Sequence, residues 1–246
     1  MSVHTESLTC RTAPHLLLRS RATAGTGTGG WRLALPPSMT RSEIRSALRS
    51  RRRALGARDR ARLSRAIALE VLRALGSSIR GRRIAAYAAL PEEPDLSFAL
   101  DELARRGARV YLPRIASYRQ RRLAFAAAAG ADRVNRYGIT EPSRTAPTVR
   151  AVELDIVLVP LVGFDARGVR LGMGGGYYDR AFAFRRHRWH PSRPRLIGIA
   201  FACQQVEALP ATSHDLRLDA VITERGLVRM VPGFRLFGYF GAAAPK

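Results

Sequence analysis

From residue 40 onward the apolar positions alternate between a helical period and short continuous runs. Ile44, Ala47, Leu48 and Leu55 share one stripe, with Arg41, Arg45, Arg49 and Arg51 to Arg53 mostly elsewhere, which predicts a first helix. Thr40, followed three residues later by Glu43, forms a capping box at its start. Leu63, Ile67, Val71, Leu72 and Leu75 predict a second helix, starting near Asp59 and stopped by Gly76. Residues 84–89 read as a strand, and residues 95–106 as a helix with Leu96, Leu100 and Leu103 inward and Gly107 at its end. Residues 110–113 form the next short strand, so the order suits a right-handed parallel crossover. Residues 154–162, LDIVLVPLV, are an almost unbroken apolar run and read as a buried parallel strand. Further strands are expected at residues 123–126, 195–201 and 218–224. The class is α/β: a single domain over residues 39–231, with a mainly parallel sheet flanked by helices.

The two ends lack these rhythms. Residues 1–38 are rich in Thr, Gly and Ser, with glycine-threonine repetition from Gly25 to Gly30 and a closing Pro36-Pro37. Arg11, Arg19, Arg21 and Arg32 face one acid, Glu6, so a targeting peptide is one reading. A disordered extension is the plainer one, and translation from Met39 would remove the segment altogether. Residues 232–246 read as a loose tail.

Composition narrows the class without fixing the chemistry. A chain of 246 residues can bury a full core, and no apolar run approaches the ~20 residues of a membrane span. Cys10 and Cys203 lie far apart and form no metal or disulfide spacing, which suits a reducing cytoplasm. The formal charge is +23, yet 41 of the 42 basic residues are arginine, Lys246 being the exception. Compositional bias toward Arg explains that pattern better than selection for polyanions does. Nonspecific nucleic-acid association at low salt is expected either way. Fourteen arginines against three acids fall between Thr40 and Arg83, so this helical pair reads either as a phosphate-backbone binder or as a solvated helical layer.

Chemistry concentrates in residues 163–186, GFDARGVRLGMGGGYYDRAFAFRR. The apolar strand leads into a turn, then Arg170-Leu171-Gly172, then Gly174, Gly175 and Gly176, then helical spacing from Tyr178 to Arg186. Strand, glycine loop and helix start together suit an anion, because glycines let backbone N–H groups approach a phosphate and the helix adds its positive end. Arg170 can add a bidentate contact, and Asp179 is a hard oxygen ligand for a phosphate-bound Mg²⁺. No Gly-Lys-Ser/Thr follows, so this is not a Walker loop, and the third glycine of a dinucleotide fingerprint would fall on Tyr177. Tyr177 and Tyr178 read either as stacking faces or as core. His214, beside Asp215, reads as structural.

The stretch Pro160-Leu161-Val162-Gly163-Phe164-Asp165, with Gly168, Arg170-Leu171-Gly172 and Gly174-Gly175-Gly176-Tyr177-Tyr178-Asp179-Arg180, closely resembles the signature of the 5-formyltetrahydrofolate cyclo-ligases, also called 5,10-methenyltetrahydrofolate synthetases. The resemblance extends from Arg41 to Val228 and implies a fold like that of the NagB/RpiA/CoA-transferase group. It implies ATP contacts from Arg41 and Arg45, and from Arg170 through Leu171, Gly172, Met173 and the three glycines to Tyr177 and Tyr178. Reduced folate would meet Ala88, Glu93, Met173, Gly174, Gly175, Gly176 and Tyr177, with Glu92 competing for the place of Glu93. Asp179 and Asp215 would hold Mg²⁺, and Arg170 and Asp179 would carry catalysis. Arg41 stands where the family usually has Lys, and Gly175 where some members have Lys. The Gly138-Ile139-Thr140-Glu141-Pro142 turn and Asp219 are similar to family elements that read as structural. The implied protein is a monomeric enzyme acting on ATP and a reduced folate, with no membrane partner. Two alternatives stand beside it: a polyanion binder using residues 41–83, and a non-catalytic folate- or nucleotide-binding member of the fold.

Overall fold

The computed structural model describes residues 33–36, 38–129, 131–187 and 193–230. Expectations for residues 1–32, including Cys10, and for the tail from 232 lie outside the described residues. The first helix among the described residues is α1 (Arg41–Ala54), whose capping box is formed by Thr40 and Glu43. Helix α2 (Ala57–Leu75) starts two residues before Asp59, which then sits in its first turn, and ends on Gly76 at φ 65°. Strand β1 (Arg83–Ala85), helix α3 (Ser97–Arg105) and strand β2 (Arg109–Ser117) follow, with β1 and β2 parallel as the crossover requires. The chain continues through β3 (Arg122–Ala127), β4 (Ala131–Val134), β5 (Thr140–Pro142), β6 (Thr148–Val149) and the central β7 (Ile156–Pro160). A small hairpin, β8 (Gly163–Phe164) with β9 (Arg170–Leu171), leads to α4 (Tyr177–Ala181), and β10 (Arg195–Ile199), β11 (Ala220–Thr223) and β12 (Gly226–Arg229) complete the order.

Eight strands pair in the order β12-β11-β10-β7-β1-β2-β3-β6, and the five from β11 to β2 run parallel. Alternate strand residues feed opposite faces. Ile84, Ile156, Leu158, Ile197 and Ile222 join α2 and α3 in one cluster, whereas Ala85, Val157, Val159, Leu196 and Val221 meet Phe125 and Phe182 in the other. A third cluster seats α1, through Ile44 and Leu48, on Val162, Val169 and Leu171 of the hairpin region. Gly163 permits that approach, since a Cβ there would overlap Leu48 Cδ1. Gly163→Ala is therefore expected to cost about 1–3 kcal/mol through overpacking, read as a lower urea midpoint with unchanged slope.

Three expectations change. The strand of residues 84–89 stops at Ala85. Ala86 still donates to Tyr111, but the chain then turns, with Tyr87 Oη donating to the Pro94 carbonyl at 2.8 Å. The helix expected over 178–186 is one five-residue turn followed by a 3₁₀ turn, Ala183–His187. Phe182 is drawn fully into the core and Arg185 into a buried ion pair with Asp219, at 2.9 Å, which breaks the helical path. Finally, Arg52, read as a polar-face residue, is 1% exposed. Asp219 and Glu141 are structural as expected. Asp219 accepts the Leu196 N–H at 2.7 Å, and Glu141 accepts the Ile115 N–H at 2.9 Å.

Candidate active site

Chain order reverses between β1 and β7: β1 connects outward to β2, and the chain returns to β7 on the other side. Clefts at such switch points, beyond the carboxyl ends of the strands, are where open α/β sheets bind ligands. Both loops that carry candidate residues leave from these two strands. After β7 comes the hairpin and the glycine loop; after β1 comes the turn of Ala88 to Glu93.

Within the loop, Gly174 and Gly176 take φ 98° and 67°, conformations that side chains rarely adopt. Gly176 is the N-cap of α4, which is too short for a strong dipole, so charge at the loop comes mainly from arginines. Arg45, projecting from α1, donates through Nε to the Gly172 carbonyl at 2.8 Å. Its guanidinium carbon would lie 3.5 Å from a Cβ on Gly174. Burial first, and then the charge of Arg41, hold Arg45 below its ordinary pKa, so an anion between the two would relieve both. Arg170, 5% exposed, donates to Asp179 Oδ1 at 2.7 Å, and the Leu216 N–H donates to the same oxygen at 3.1 Å.

Arg41 is bidentate on Asp215, at 2.7 and 3.0 Å, and donates to the Pro210 carbonyl at 3.0 Å. A planar fork suits this pairing in a way that an ammonium would not. Burial opposes ionisation of Asp215, but the Arg41 contact and the Thr212 N–H outweigh it and hold the carboxyl below its usual range.

Across the cleft, Glu93 is 9% exposed and accepts the Leu90 N–H at 3.2 Å. Burial raises its pKa, opposed by that N–H and by Arg52. Glu92 is more open and is held below its ordinary value, because Arg52, Arg53 and Arg49 outweigh its partial burial. Arg52 thus lies between the two acids, 3.3 Å from Glu92 and 3.9 Å from Glu93, with its Nε and Nη1 lacking hydrogen-bond acceptors. No periodicity could find Arg52, because its partners sit some forty residues downstream.

The tyrosines divide. Tyr178 turns inward against Phe182, with a buried hydroxyl that has no partner; burial and then nearby Glu93 raise its pKa. Arg170 lies 5.9 Å from its ring centre, so Tyr178 links the glycine loop to Glu93. Tyr177 turns outward, its hydroxyl 3.5 Å from that of Tyr137. Tyr137 and Tyr118 are partly exposed at 5.9 Å between ring centres, and Arg136 covers Tyr118 at 3.9 Å. This aromatic rim, gathered from three loops, has no signal in the sequence. Met173 is exposed on the loop, Ala88 is half-buried, and exposed His214 contributes its carbonyl to Arg186.

The hydrogen bonds of Asp179 among the described residues, from Arg170 and the Leu216 N–H, both fall on Oδ1, which leaves Oδ2 as a hard oxygen. Asp215 has both oxygens engaged. Among the described residues no three His, Cys, Asp or Glu side chains cluster as a self-contained metal site, and no helix is long and apolar enough to cross a membrane. A cation here would complete its shell with phosphate oxygens and water, which suits Mg²⁺.

A basic glycine loop at a switch point of the sheet suits an α/β enzyme for phosphorylated small molecules. Arg41, Arg45 and Arg52 of α1 are engaged by Asp215, the Gly172 carbonyl and the Glu92-Glu93 pair, so these three are not a free row for a phosphate backbone. Comparison with known proteins sharpens the class. Residues 37–224 match the profile of the 5-formyltetrahydrofolate cyclo-ligase family, and the chain belongs to that family. It is 32% identical to the 5-formyltetrahydrofolate cyclo-ligase of Escherichia coli K12 over 179 residues, 72% of this chain and 96% of that one. The Haemophilus influenzae enzyme of the same name is also 32% identical, over 185 residues, covering 74% and 96%. Among solved structures, the 5,10-methenyltetrahydrofolate synthetase of Aquifex aeolicus superposes with a TM-score of 0.67 at 27% identity, covering 82% of this chain and 98% of that one.

Proposed function

We propose that the chain converts 5-formyltetrahydrofolate and ATP to 5,10-methenyltetrahydrofolate, ADP and phosphate. The observation that carries this reading is the pair of arginines at the ends of the glycine loop, Arg45 on the Gly172 carbonyl and Arg170 on Asp179 just after Gly176. The chemical problem is a formamide oxygen that leaves poorly. That oxygen attacks the γ-phosphorus and ADP departs. The anilino nitrogen then attacks the formyl carbon and loses its proton, and phosphate leaves as the ring closes. Positioning and charge neutralisation dominate such a reaction. The amides of Gly172 to Gly176 hold the phosphates, Arg45 screens one side, and Arg170 meets the charge that develops on the transferring group. Met173 and Tyr177 stand where both substrates meet, with Leu171 beneath them. Glu93 and Ala88 orient the pterin from the opposite wall, and the rim of Tyr118 and Tyr137 offers faces for its flat rings. Tyr178 supports Arg170 from the core side.

Asp179, with Asp215 behind it through water, would hold Mg²⁺, which supplies neutralisation of the phosphate charge. Arg41 fixes Asp215 and completes the basic wall of α1. A monomer in a reducing cytoplasm fits this chemistry.

The test is absorbance in the methenyl-folate band, with 5-formyltetrahydrofolate, ATP and Mg²⁺ supplied together and with each omitted. A rise that needs all three is expected. A flat trace from folded protein that still binds both substrates would sink the catalytic reading in favour of a binding-only member.

A further inference from the structure

A cavity lies at the end of the sheet away from the glycine loop. It measures about 570 Å³ and opens where β1, β2, β7 and β10 begin. Because these strands run parallel or share that edge, it lies opposite the glycine loop, separated by the length of β7, roughly 16 Å at 3.3 Å per residue. Five arginines line it (Arg80, Arg82, Arg83, Arg109 and Arg193), and no apolar side chain does.

Its two acids are already committed. Asp155 accepts the Arg83 N–H at 2.9 Å and pairs with Arg193 at 2.8 Å and with Arg82 at 3.5 Å. Glu153 pairs with Arg150 at 3.1 Å and with Arg83 at 3.6 Å. By contrast, the side chains of Arg80 and Arg109 make no hydrogen bond or ion pair among the described residues. Five arginines against two acids in one lining leave an excess of three positive charges. Concave surfaces of one sign focus the field and concentrate counterions.

We propose that this cavity binds a small oligophosphate, a ligand with two or three linked phosphate groups. Guanidinium groups match phosphate oxygens in bidentate geometry. The lining offers nothing for a ring or a hydrocarbon, and the spent carboxylates offer nothing for a cation. A volume within the ~300–1,000 Å³ of small-molecule sites suits such a ligand.

The test is calorimetric titration of the full chain with sodium tripolyphosphate, at ~0.15 M salt to screen exposed charge. Wild type is compared with the double variant Arg80→Ser/Arg109→Ser. Both residues are exposed, so the fold is retained, and cyclo-ligase turnover with its KM for ATP verifies that. The wild-type chain is expected to bind one more tripolyphosphate than the variant, or to bind it more than tenfold tighter at the second site, with KM for ATP unchanged. If the glycine loop does not bind phosphate, wild type reads one site and the variant none, which leaves the cavity assignment standing. Equal stoichiometry and affinity in the two chains would overturn it, and so would a loss shared with the ATP site. A single-stranded oligonucleotide that needs Arg80 and Arg109 when tripolyphosphate does not would also overturn it.

Discussion

Turnover of an Asp179→Asn chain is expected to fall about a thousandfold while the protein stays folded, the scale on which phosphoryl-transfer enzymes lose a charge-stabilising group. The amide keeps the shape of the carboxylate and can still accept from Arg170 and from the Leu216 N–H. What it loses is the negative charge that balances Arg170 and that the proposed mechanism uses to hold Mg²⁺. Asn is the informative choice because removing the side chain would strand Arg170, 5% exposed, without its partner and confuse catalysis with stability. Steady-state rates across a Mg²⁺ titration, alongside a thermal melt, separate the two. Near-normal turnover at every Mg²⁺ concentration would remove Asp179 from the mechanism.

The largest stability effect is expected at Arg52. Arg52→Met preserves much of the volume but leaves Glu93 buried without its compensating charge, at a cost of about 3–5 kcal/mol. The sign of the pH dependence follows from Glu93. Burial raises its folded pKa above the ordinary carboxylate value, so the native state holds a proton that the unfolded state has released. Stability linked to this group therefore increases as pH falls through its folded pKa and is lost as pH rises above it. Arg52→Met should exaggerate that slope, while Arg52→Lys should restore part of the neutral-pH stability. Urea denaturation at several pH values between about 4.5 and 8 measures both, and a deficit independent of pH would assign Arg52 to packing alone.

These two residues illustrate what was legible in the sequence. The candidate site around Asp179 lies in one continuous stretch, where apolar strand, glycines and acid follow one another, so a linear reading can propose it. The first helix was equally plain, because Thr40 and Glu43 cap it locally and Ile44 and Leu48 mark its buried stripe. Arg52 was not, because periodicity counts every arginine as polar and its burial depends on two acids that arrive with a distant loop. The same limit applies to Tyr118 and Tyr137, which reach Tyr177 only after the β4–β5 hairpin folds over. The overextended helix after the glycine loop has a different cause. Its spacing was helical, but the tertiary demands of Phe182 and Arg185 outweighed local preference.

The placement of α1 also bears on how the protein comes into being on the ribosome. Arg41 reaches Asp215 across 174 residues and Arg45 reaches Gly172 across 127. Helix α1 therefore completes these two contacts only once the segments around residues 172 and 215 have both been made. Nascent chains released before residue 215 have the glycine loop but no anchor for Arg41. Nucleotide-dependent protection from proteolysis should thus appear abruptly, and only in chains that extend past residue 215, making the finished cleft a report on the joining of α1 to that segment.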